Sequence, residues 1–159
     1  MATTYKTVTL RSLNFVQDEA VASGAITPGM LVERTTAAVA TVRAHATASG
    51  VAARMFAIED ELQGKTYLQA YSDGDRVQYR TFQPGDKVQA LLADGYNYTV
   101  GTKLVSNADG YLKPYTAVDV SDSGATDVYT GNVVAQVDEA RDLLTSGSTD
   151  PNTCPVTIL

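Results

Sequence analysis

The apolar residues of this chain come in short runs, mostly four to eight long, and Gly, Asp, Asn or Pro closes each run. Runs of that length are too brief for a stable isolated helix. They suit strands, and strands separated by turn residues along 159 positions predict an all-β sandwich or barrel. The side chains agree. There are 20 Thr, 18 Val and 9 Tyr, and β-branched and aromatic residues fit a pleated, half-buried surface. The length is that of one domain able to bury a core without disulfides or metals.

Candidate strands follow from the apolar runs. They are Met30–Arg34, Ala38–Ala46, Val51–Ile58, Arg76–Phe82, Lys87–Ala93, Lys103–Ser106, Tyr111–Pro114, Asn132–Val137 and Pro155–Leu159. Asp73-Gly74, Asp94-Gly95 and Asp109-Gly110 lie between apolar runs, and Asp-Gly there signals hairpins, so the central block reads as a meander. Two further segments match each other: Ile26-Thr27-Pro28-Gly29-Met30-Leu31-Val32 and Phe82-Gln83-Pro84-Gly85-Asp86-Lys87-Val88. Pro followed by Gly favours a type II turn leading into a strand. Gly101 repeats the second half of this pattern. The spacings of 56 and 16 residues are too unequal for stacked repeats. Helix is scarce, with short turns expected only at Thr66–Tyr71 and Asp138–Leu144. The polar stretches Ser121–Thr130 and Ser146–Asn152 read as loops.

Residues 1–15 stand apart. Thr7-Val8-Thr9-Leu10 alternates like a strand, and the stretch holds Lys6 and Arg11 but no carboxylate. It reads as an extended N-terminal arm or as an edge strand. Residues 16–159 read as one compact β-barrel or jelly-roll-like sandwich with one or two short helical turns. The net charge is −6, split as +2 over residues 1–54 and −8 over residues 55–159. So acidic a surface repels phosphate, which argues against nucleic acid as a partner.

The inventory for catalysis is thin. One Cys and one His rule out an internal disulfide and multi-histidine metal centres. Cys154 opens the last strand and His45 reads as lying on a polar strand face, so a Cys–His pair is not expected. No nucleophile elbow and no phosphate-binding glycine motif occurs. Glu59-Asp60-Glu61 is the densest acidic cluster, but adjacent strand-end acids point to different sides. Asp73/Asp75 and Asn107/Asp109 lack the ligand spacing of a calcium loop and are explained by turn chemistry. The expectation is a non-enzymatic protein without cofactors or bound metals. The start, Met1–Lys6, lacks the apolar stretch of a signal peptide, and no run approaches a membrane span. A soluble protein made in the cytoplasm is expected.

Three blocks carry a family resemblance. They are Met55–Lys65 continuing through Ala70-Tyr71 and Gly74–Val77, then Phe82–Gly95, and then Val100–Leu112 with Val133–Val137 and Pro155–Leu159. On these blocks the chain resembles tailed-bacteriophage head decoration proteins that cement the capsid, and the resemblance spans roughly residues 24–159, most of the chain. The resemblance implies a β module on the outer capsid surface at local symmetry axes. It also implies a homo-oligomer, trimer ahead of dimer, with the major capsid protein as partner. On that basis Thr3, Thr4, Tyr5, Lys6 and Arg11 are the candidate capsid-binding arm. Tyr67, Leu68 and Tyr71 are the candidate oligomer interface, because Tyr buries area while keeping a hydroxyl wet. Either Met55 or Phe56, together with Phe82, is expected in the core. The rival reading is a head-fibre or adhesion module that binds host-surface glycans, against which the acidic, Trp-free composition argues.

Overall fold

The computed structural model describes residues 5–14, 16–36, 40–116, 132–144 and 152–159. The strands are β1 (Thr9–Arg11), β2 (Val16–Ala22), β3 (Val32–Arg34), β4 (Thr41–Ala44), β5 (Met55–Ala57), β6 (Arg76–Thr81), β7 (Lys87–Leu91), β8 (Asn97–Tyr98), β9 (Lys103–Ser106), β10 (Leu112–Pro114), β11 (Ala135–Val137), β12 (Arg141–Asp142) and β13 (Thr153–Ile158). A six-stranded sheet runs β1-β7-β13-β11-β9-β10, a five-stranded sheet runs β3-β4-β2-β6-β5, and β12 pairs with β8. The pairings are antiparallel except β2 with β4. The protein is a compact sandwich, so of the two expected architectures the sandwich is found and the closed barrel is not. The five-stranded sheet nonetheless curls until its two edges touch, at a bridge between Leu31 and Phe56.

Strand alternation divides the buried residues between two cores. Leu31, Phe56, Phe82, Val88, Leu104 and Val156 belong to the core beneath the six-stranded sheet. Val32, Ala57, Val77 and Tyr79 fill a second core inside the curl of the five-stranded sheet. Phe56 and Phe82, both core as expected, meet edge to face at 6.0 Å.

The matched Pro-Gly segments form the same turn. Met30 N donates to Thr27 O and Asp86 N to Gln83 O, each at 3.0 Å, and Gly29 and Gly85 both have φ of 92°. The side chain of the fourth residue also accepts the N–H of the first: Asp86 Oδ2 takes Gln83 N at 2.8 Å, and Met30 Sδ takes Thr27 N at 3.3 Å. Ser72–Asp75 and Thr99–Thr102 repeat both bonds. Gly29 has a further duty, since its backbone bonds both Ala57 and Leu91 and so stitches the two sheets together.

Several expectations are corrected. The central block is not a meander: β6 and β7 belong to different sheets, and the Pro84-Gly85 turn carries the chain between them. Of the three Asp-Gly pairs, only Asp109-Gly110 closes a hairpin of paired neighbours, β9 with β10. The one helical turn among the described residues is a 3-10 turn at Glu61–Gln63, capped by Asp60 and ended by Gly64. Thr66–Gln69 form a turn and Tyr71 bridges to Ile26, while Asp138–Leu144 contains strand β12. Ser121–Thr130 lies outside the described residues, as do positions 37–39 and 145–151.

Candidate functional site

Residues 5–12 lie along the domain, held from both sheets. Thr9 and Arg11 of β1 pair with Val88 and Lys87 of β7. Val8 is buried in the larger core. The Glu59 carboxylate accepts the Thr7 hydroxyl and, at 3.1 Å, the Val8 N–H. Gln89 reaches the same segment, its amide N donating to Tyr5 O at 3.0 Å and Thr7 O at 3.1 Å while its oxygen accepts from Thr153. Arg80 donates to Thr9 Oγ1 at 2.9 Å, Arg11 to Gly85 O at 3.2 Å, and Ser12 to Asp86 at 2.9 Å. Of the candidate arm residues, Thr3 and Thr4 lie outside the described residues, while Tyr5, Lys6 and Arg11 are exposed. Tyr5 and Arg11 line one open groove of about 540 Å³ with Leu10, Lys87 and Asp138. Of its two acids, Asp138 pairs with Lys87 at 2.8 Å and accepts from Thr157, and Glu139 lines the groove beside it.

The candidate interface residues separate. Leu68 is 56% exposed and Tyr67 is half-buried against the larger core. Tyr71 is a correction: it is 1% exposed, and its hydroxyl donates to Ile58 O at 2.8 Å. An isolated bridge to Ile26 turns its ring inward. It is a core residue with a satisfied hydroxyl, and burial pushes its phenol up to about 12. Burial also raises the Tyr98 phenol, which donates to Ala93 O at 2.7 Å.

His45 is a second correction. Position 45 follows β4, and its ring is 1% exposed rather than on a polar face. Nδ1 lies 2.7 Å from Ser106 Oγ and Nε2 lies 3.1 Å from Val51 O. Cys154 is fully buried, with its Sγ directed at Glu139 O at 3.2 Å. Burial holds its thiol up at about 11, well away from a nucleophilic thiolate. The acids weighed as calcium ligands accept backbone N–H groups, Asp75 and Asp109 within turns and Asp73 from a distant loop. Asp73 accepts Gly24 N, Asp75 accepts Ser72 N, and Asp109 accepts Tyr111 N. Of the acidic triplet, Glu59 and Asp60 are buried and hydrogen-bonded, and Glu61 is exposed.

One feature is invisible to sequence reasoning. On the outer face of the five-stranded sheet, Gln17 Oε1 accepts from Arg80 Nε at 3.0 Å, and Gln17 Nε2 donates to Gln78 Oε1 at 3.3 Å. Gln78 in turn donates to Asp60 at 3.4 Å. The Gln17 end depends on the pairing of β2 with β6, which joins residues some sixty positions apart. No motif announces it.

No family model and no curated protein matches this chain. Among solved structures it is similar to the N base of head fibre gp8.5 of bacteriophage phi29, with a TM-score of 0.57 at 14% identity. The match covers 92% of this chain and 95% of that one. At that identity the likeness is one of fold.

Proposed function

We propose that this chain is a structural, non-enzymatic component of a tailed-phage head. It binds the outer capsid surface at local symmetry axes as a homo-oligomer, a trimer ahead of a dimer. There it holds neighbouring capsomers together against the pressure of packaged DNA, with the major capsid protein as its partner. The observation that carries this reading is the end-to-end fold correspondence with the base of a phage head fibre. A protein that binds only the assembled shell stabilises it by linkage, and contacts repeated around an axis add avidity. The β1 edge supports the docking side of the proposal. Lys6 and Arg11 are exposed there, on a stretch free of carboxylates in a chain of net charge −6.

The test mixes purified protein with heads that lack it. Wild type should saturate the heads and raise their resistance to heat and chelator. Lys6→Glu/Arg11→Glu should fold normally and bind about tenfold more weakly. Failure of wild type to bind, or heads equally rugged without it, would overturn the proposal. Deleting residues 1–12 is a poor test, because it removes an edge strand and the core residue Val8. The described neighbour is the base of a fibre, which favours a second reading in which this domain anchors a projecting structure. Electron micrographs of saturated heads separate the two: compact knobs fit cement, and extended projections fit a fibre base.

A further inference from the structure

We propose that the polar cleft between residues 7–9, the outer face of β6 and the 3-10 turn binds a single neutral sugar ring. The cleft has a volume of about 210 Å³, room for one small ring rather than an extended chain. Three planar polar groups face it, from Gln17, Gln78 and Arg80, and each is held by the network described above. Planar amides and carboxylates suit vicinal hydroxyls, since each hydroxyl both donates and accepts. Gln17 Nε2 spends one hydrogen on Gln78 Oε1 and Gln78 Nε2 spends one on Asp60 Oδ1, which leaves each amide a second hydrogen for a ligand. Glu59 holds its orientation through Val8 N and the Thr7 hydroxyl, and the exposed Glu61 stands at the opening.

Charge narrows the ligand. Two carboxylates, Glu59 and Glu61, face one guanidinium, so phosphates and sulfated sugars are repelled. The aliphatic side is supplied by Ile58, which is buried, and by Leu62, which is 88% exposed at the rim. Leu62 offers a surface for the C–H face of a ring. No aromatic lines the cleft, so each site is weak, with Kd of order millimolar. An array of copies on one surface would raise the effective affinity. The inference stands whether or not the chain binds a capsid.

The test is an NMR titration of the full chain with the methyl glycosides of glucose, galactose, mannose and N-acetylglucosamine, each to about 100 mM. At least one should give saturable shifts at the amides of Thr7, Thr9, Gln17 and Leu62. Both Glu61 and Leu62 are exposed at the rim, so Glu61→Ala/Leu62→Ala should keep its melting temperature and lose binding about tenfold. No saturable shift with any glycoside, shifts mapping elsewhere, or unchanged binding in the double variant would each overturn the proposal. So would equal shifts with glycerol, or a response to sulfate alone.

Discussion

His45 Nδ1 lies 2.7 Å from the Ser106 hydroxyl, and this bond ties the end of β4 in one sheet to β9 in the other. Ser106 Oγ also accepts the N–H of Ala108, which sits at φ 79°. Val51 O can only accept, so Nε2 carries the hydrogen directed at it, and in the neutral ring Nδ1 then accepts from the serine hydroxyl. His45→Ala would open a cavity and strand Ser106 and Val51 O. It should cost about 3 kcal/mol. The exposed neighbour Arg43, paired with Glu33 at the surface, should cost under about 1 kcal/mol when changed to Ala. Urea denaturation of both variants checks the contrast.

Glu59 fastens the N-terminal segment across the sheet junction. Glu59→Ala leaves the buried Val8 N–H unsatisfied and should cost about 1–3 kcal/mol. Glu59→Gln keeps an acceptor oxygen and should cost less. Hydrogen exchange should show the loss concentrated in residues 7–11, with β9 and β13 unchanged. Uniform deprotection across the domain would contradict this local role.

The two Pro-Gly turns offer a matched pair. A Cβ at Gly85 meets nothing within 4 Å, so Gly85→Ala should cost only the positive φ, about 1 kcal/mol. At Gly29 the same carbon would lie 2.9 Å from Gln89 O, a backbone atom that has little room to yield. Gly29→Ala should cost at least about 3 kcal/mol. Equal melting temperatures for the two variants would show that the close approach at Gly29 carries no weight.

Buried phenol and thiol groups make the fold sensitive to alkali. Tyr71 rises from 10.0 to about 12, and Cys154 from 9.0 to about 11, both through desolvation. The folded state therefore favours their protonated forms. That contribution is whole below the unfolded values and is lost as pH climbs through the folded ones. Stability should fall between about pH 9 and 12, and Tyr71→Phe should flatten the upper part of that decline. In the native protein at pH 8, Cys154 should resist a thiol reagent that labels it at once in urea.

Legibility in the sequence followed how local the determining forces were. β9 was legible to its boundaries, and β6, β7 and β13 to within two residues at either end, because alternation and turn residues act over a few positions. β2, seven residues long, was missed. Its first four residues are exposed, and Val-Gln-Asp-Glu shows no buried stripe. It is held by pairing with β6 and β4, not by its own pattern. Tyr71 and His45 were misplaced for a related reason. Each is amphipathic, and whether such a ring turns in or out depends on an acceptor supplied from elsewhere, Ile58 O for one and Val51 O for the other.

Residue order alone dictates that this chain builds strands, where its Pro-Gly turns fall, and that it holds one Cys and one His. The first two rest on backbone sterics and short-range alternation. Folding in three dimensions sets which strands share a sheet, fastens residues 5–12 back onto the domain, and brings Gln17, Gln78 and Arg80 together beside Glu59. Hydrogen bonds between strands carry no signature of their partner, so distant side chains become neighbours only once the sheets have packed.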